Sequence, residues 1–111
     1  MISPKTKRQD EALREYVARL RRRFPDRIDR ILLFGSRARG DAGADSDTDV
    51  LVILREPDRE LADAVTDQAF DIMVEYSVDI EPTIFDRHEW ERVTHPPTSF
   101  AYCVLQESVP L

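Results

Sequence analysis

Residues 34–54 read FGSRARGDAGADSDTDVLVIL. An apolar run ends in Gly35-Ser36, ten residues follow, and Asp47-Thr48-Asp49 opens a second apolar run, so the spelling is Gly-Ser-x10-Asp-x-Asp. Side chains on a strand alternate faces, which points Asp47 and Asp49 the same way with Cα atoms roughly 6–7 Å apart. Gly35 suits a tight turn after a buried strand, because it has no Cβ to block unusual dihedrals or the close approach of a ligand. If a short helix starts after the turn, its free N–H groups and partial positive charge suit an anion. A phosphate cradle and a paired-carboxylate metal site some ten residues apart point to chemistry on a nucleoside triphosphate.

The elements on either side of this stretch follow from periodicity. Residues 28–34 form a first strand, and Ile31-Leu32-Leu33-Phe34 is continuous enough to be buried on both faces. Residues 48–54 form a second, with Val50, Val52 and Leu54 on one side and Asp49, Leu51 and Ile53 on the other. In the intervening loop, Gly40 and Gly43 loosen the return path, and Arg37 is either a phosphate ligand or a solvated loop residue. Upstream, Leu13, Tyr16, Val17, Leu20 and Phe24 make one stripe of an amphipathic helix over residues 6–24, stopped by Pro25. Arg19, Arg21, Arg22 and Arg23 sit near its end, either as a solvated cap on the helix dipole or as a patch for a polyanion.

Downstream, a helix runs from about Asp58 to Tyr76 on a stripe of Leu61, Val65, Ala69, Ile72, Met73 and Tyr76. Residues 78–85, VDIEPTIF, form a third strand that shows Val78, Ile80 and Ile84 on one face and Asp79 and Glu81 on the other. That acidic face reads as a solvated strand or as the third wall of a metal site. Pro82 cannot donate to a sheet ladder and predicts an edge strand or a bulge. A short helix over residues 86–93, with Asp86 as N-cap and Trp90 facing the core, and a last one after Thr98-Ser99 through Phe100, Val104 and Leu105 complete the chain.

Composition narrows the class. One domain spanning residues 1–111 is expected from the length, with a soluble balance of 34% charged and 41% hydrophobic residues and no apolar run that reaches the roughly 20 residues of a membrane span. The start, MISPKTKRQDE, lacks the apolar segment of a secretory signal, so a cytoplasmic location is expected. The single cysteine, Cys103, reads as a small apolar residue, and His88 and His95 as solvent-facing. A net charge of −6 argues against a general nucleic-acid-binding surface, although metal bound near Asp41, Asp45, Asp47, Asp49, Asp79 and Glu81 offsets part of it.

Gly35, Ser36, Asp47 and Asp49 together resemble the signature of the minimal nucleotidyltransferases, small members of the DNA polymerase beta-like superfamily. The resemblance extends over nearly the whole chain and is specific over about residues 31–54. It implies an α/β (α+β) fold, a small mixed sheet with helices mainly on one face. It also implies metal-dependent transfer of a nucleoside monophosphate, AMP from ATP, to a hydroxyl on a protein, an RNA or a small molecule, with release of pyrophosphate. The family draws a third carboxylate from a strand spelled apolar-Asp-apolar. Asp79 matches that spelling, and Glu81 is the reserve. Asp47, Asp49 and Asp79 are thereby the expected catalytic and metal-binding residues, holding two Mg²⁺ ions, with Mn²⁺ as a substitute. Gly35, Ser36 and Arg39 are the expected nucleotide-binding residues, Arg39 answering the basic position of Gly-Ser-x-x-Arg. Small members often stand beside a helical partner of the HEPN type, so a low-turnover nucleotide-binding or antitoxin-type module acting through such a partner is the alternative. Self-association is a further expected source of acceptor specificity.

Overall fold

The computed structural model describes residues 4–40 and 47–111, so the readings made for Asp41, Gly43 and Asp45 lie outside the described residues. The chain runs α1 (Pro4–Arg23), β1 (Ile28–Phe34), α2 (Ser36–Arg39), β2 (Thr48–Leu54), α3 (Arg59–Tyr76), β3 (Ile80–Asp86), α4 (Arg87–Thr94), α5 (Ser99–Glu107) and β4 (Val109–Pro110). The four strands make a mixed sheet in the order β3-β2-β1-β4. β1 pairs antiparallel with β2 and β4, while β2 pairs parallel with β3.

The alternation read for β2 divides the core. Val50, Val52 and Leu54 face α1 and α3, where they join Ala12, Tyr16 and Leu20 of the first helix and Leu61, Val65 and Ile72 of the second. Tyr16 is fully buried there and donates its hydroxyl proton to the Val65 carbonyl at 2.9 Å, tying the two long helices together. Leu51 and Ile53 face the other way and meet Leu32, Trp90, Ala101 and Val104, so the short helices α4 and α5 cover that side. Both faces of β1 are buried around Ile31 and Leu32, as its unbroken apolar run requires.

β3 lies at the sheet edge, which accommodates Pro82 without a bulge in its ladder with β2. Asp58 caps α3 by accepting from Leu61 N, and Asp86 and Glu89 form a reciprocal capping box on α4. One reading needs correction. Met73 does not complete the buried stripe of α3, since that stripe has turned toward Gln68 and Ala69 and leaves Met73 at the surface. Leu105 and Cys103 are exposed on α5, whose buried positions are Ala101 and Val104. β4 was not foreseen. Its two residues pair with Leu32 and Leu33, and the Leu111 N–H donates to the Ile31 carbonyl at 2.9 Å. Among the described residues no helix is long and apolar enough to cross a membrane.

Candidate active site

The site forms where the C-terminal end of β1 meets the N-terminal ends of β2 and β3. Phe34 is the cross-strand partner of Asp49, and Asp49 is the parallel partner of Glu81, so these three side chains share one face in a row across the sheet. Asp47 and Asp79 lie one residue ahead of their strands, and the Thr48 N–H donates to the Asp79 carbonyl at 3.1 Å. That bond holds the two strand entrances side by side. Carboxylate oxygens of Asp47, Asp79 and Glu81 all fall within 4.8 Å of one another, and all three residues are exposed.

Glu81 therefore stands with Asp79 rather than as a distant reserve. Although two residues apart on the strand, both side chains bring a carboxylate oxygen into one cluster. Partial desolvation of the crowded carboxylate, and then the neighbouring charges of Asp79, Asp47 and Asp49, push the Glu81 carboxyl above its ordinary range. Asp49 is beside this group and is turned toward Gly35. Its carboxyl is also raised, chiefly by burial and next by the charge of Asp47, with Arg39 pulling the other way. A set of three exposed carboxylates with converging oxygens fits a hard divalent cation such as Mg²⁺, which prefers oxygen donors and keeps waters in its shell.

Gly35 closes the other side of the site. Its φ of 77° and ψ of −158° lie in a region that side chains hardly reach, and a Cβ placed on it would overlap Asp49 Oδ2. The glycine is thus required twice, by the turn and by the carboxylate next to it. The chain then makes the single turn of α2, in which the Arg39 N–H donates to the Gly35 carbonyl at 3.1 Å and Gly40, at φ 83°, ends the turn. Ser36 is half-buried at its start.

The two arginines of this turn diverge. Arg37 is no solvated loop residue: its side chain is 11% exposed and donates to Gln9 Oε1 at 2.5 Å and Asp10 Oδ1 at 3.2 Å, tying α2 to α1. Arg39 stays at the site, where its charge acts on Asp49 and its Nη1 donates to both oxygens of Glu107 at 3.2 Å. Neither Gln9 nor Glu107 carries a local signal for these roles, because the contacts span 28 and 68 residues of chain. Two arginines of α1 are engaged too. Arg19 bonds Glu15 and Glu75, and Arg21 reaches the Leu111 carbonyl.

Comparison with known proteins gives the site its context. A model of the nucleotidyltransferase domain matches residues 13–97. Two proteins of Methanocaldococcus jannaschii, both named as candidate protein adenylyltransferases, are related in sequence. One is 32% identical over 78 residues, which is 69% of this chain and 79% of the relative; the other is 42% identical over 45 residues, 40% of this chain and 45% of the relative. A candidate nucleotidyltransferase from Sulfolobus solfataricus shares the fold with a TM-score of 0.55 at 22% identity, over 99% of this chain and 87% of its own. A chain of a toxin-antitoxin complex with AMP-PNP does so with a TM-score of 0.56 at 18% identity, over 86% and 69%.

Proposed function

Because the chain belongs to the nucleotidyltransferase domain family and is a nucleotidyltransferase enzyme, we propose that it transfers AMP from ATP to a hydroxyl group of an acceptor protein. The observation that carries this reading is the meeting of Asp47, Asp79 and Glu81 beside Asp49 and the Gly35 turn. Adenylyl transfer to protein is the activity for which the two archaeal relatives are named.

The roles follow from position. Asp47, Asp79 and Glu81, with Asp49 alongside, would hold Mg²⁺ or Mn²⁺. When bound, the divalent cation supplies charge neutralisation at the phosphates and lowers the pKa of a hydroxyl near it. Gly35 leaves room at the turn for the Asp49 carboxylate, Ser36 offers its hydroxyl and N–H to the phosphates, and Arg39 reaches the β- and γ-phosphates once it leaves Glu107. The acceptor oxygen attacks the α-phosphorus, the bond from that phosphorus to the α,β-bridging oxygen breaks, and pyrophosphate departs with the electron pair. Asp79, beside Glu81 and Asp47, takes the hydroxyl proton. The cytoplasm, which supplies ATP and Mg²⁺, is the proposed setting.

The acceptor as a partner protein, of the HEPN type or another, draws support from the toxin-antitoxin neighbour of the same fold. A low-turnover module that acts through such a partner is the second reading. Incubation with ATP labelled at the α-phosphate, Mg²⁺ and lysate separates them. The enzyme reading expects label on a protein, lost with chelator and lost in Asp49→Asn. ATP binding without label on any macromolecule or small molecule would favour the second reading.

A further inference from the structure

A surface helix normally turns its polar side outward, and α3 does so only in part. Its outward stripe, at spacing i, i+3, i+4 and i+7, reads Asp67, Phe70, Asp71 and Val74, all exposed. Phe70 is 60% and Val74 66% exposed, and Met73 beside them is also at the surface. Three large apolar side chains grouped on the last turns of one helix form a patch of the kind that marks an interaction site. Their place matters more than their number. Phe70 and Met73 line a shallow cavity of about 180 Å³ whose opposite wall is Asp79, Ile80, Glu81 and Pro82. The patch is thus continuous, around the exposed edge of β3, with the proposed catalytic carboxylates.

We infer that this ridge docks the acceptor protein through an amphipathic helix that presents leucine-like side chains to Phe70, Met73 and Val74 and lysines or arginines to Asp67 and Asp71. The inference rests on the transfer reading above and specifies how the acceptor reaches the site. Charge decides between partners. Asp63, Asp67 and Asp71 are exposed along α3, and Asp79 and Glu81 continue the negative field toward the site. An RNA would be repelled along that approach, while a basic helix is attracted to it. Two helices pack by interleaving rows of side chains spaced i±3 and i±4, which is the spacing that Phe70, Met73 and Val74 present on α3. A hydroxyl residue at the end of such a helix would face the cavity wall that carries Asp79 and Glu81.

The test compares wild type with Phe70→Lys/Val74→Lys and with Asp67→Lys/Asp71→Lys, all surface changes, in the α-phosphate label assay with Mg²⁺ and lysate. Calorimetric binding of Mg²⁺-ATP is measured in parallel. Labelling of the acceptor protein should fall at least tenfold in both variants while Mg²⁺-ATP affinity stays within twofold. Wild-type labelling should weaken as NaCl rises from about 50 to 300 mM, a range that screens exposed charge pairs. Undiminished labelling in the variants, or label found on RNA, on a small molecule or on a second copy of this chain, overturns the docking inference and leaves transfer standing. If wild type labels nothing, the transfer reading fails first and the inference falls with it.

Discussion

Gly35 shows how much a single residue can fix. Its Gly-only dihedrals and the Asp49 carboxylate against its missing Cβ mean that Gly35→Ala strains the turn and displaces a proposed metal-site acid together. We expect about a hundredfold loss of transfer, the scale of a 1 Å misplacement, together with a lower Tm. Wild-type transfer by a well-folded variant would show that Asp49 tolerates movement. Thr48 makes the opposite case. It is fully buried between the two acids, and its Oγ1 has no hydrogen-bond partner among the described residues. Thr48→Val keeps the shape and removes the unpaired hydroxyl, so a gain of about 1 kcal/mol is expected in urea unfolding. A loss instead would mean that the hydroxyl is satisfied in solution. Gly35 and the alternation of β2 were legible at this scale, because turn dihedrals and strand period are local. The pairing of Arg37 with Gln9 and of Arg39 with Glu107 was not, since such choices depend on which helix arrives beside the turn.

At the scale of elements, the sequence was most informative where hydrophobic period and capping agree. β2 begins and ends where its alternation does, and α4 starts directly after its N-cap Asp86, whose side chain accepts from Glu89 N at 3.0 Å while Glu89 Oε1 accepts from Asp86 N at 3.1 Å. β4 escaped because two residues with no period gain their strand character only from the edge of β1. Met73 was misplaced for a related reason: helix period sets an apolar stripe, but the partner surface decides which neighbours of that stripe are covered. The capping box carries its own prediction. Asp86→Ala leaves the first turn of α4 without its acceptor and should cost about 1–2 kcal/mol, while Asp86→Asn retains most of the cap. Since Trp90 hangs from this helix into the core formed by Leu32, Leu51 and Ile53, tryptophan fluorescence reports the loss directly. Equal stability of the alanine and asparagine variants would show that the box contributes nothing.

The whole molecule carries a net charge of −6 and gathers four carboxylates at one end of its sheet, and its pH dependence should show the strain of that arrangement. The Asp49 and Glu81 carboxyls are raised, first by desolvation and then by their acidic neighbours. Ionising a group whose folded pKa exceeds its unfolded value destabilises the fold. That cost is fully present above the raised value and absent below the unfolded one, about 3.9 for Asp and 4.3 for Glu. Asp58 and Asp86 run the other way. Backbone N–H donors at their helix starts hold both carboxyls below the usual range, so their stabilisation persists above the unfolded value and is lost as pH falls through the lower folded one. Metal-free protein should therefore gain Tm as pH is lowered from 7 toward the carboxylate range, and lose it beneath that range as the caps protonate. Asp49→Asn should flatten the rising part while leaving the acid collapse in place. A divalent cation offsets the same repulsion, so Mg²⁺ should raise Tm more at pH 7 than near pH 5. The triphosphate meets the same field, and calorimetry should find ATP binding at least tenfold weaker with chelator than with Mg²⁺ or Mn²⁺. Equal ATP affinity in both conditions, together with a Tm indifferent to Mg²⁺, would remove Asp47, Asp79 and Glu81 from a metal-holding role and leave them as a solvated acidic rim beside the Gly35 turn.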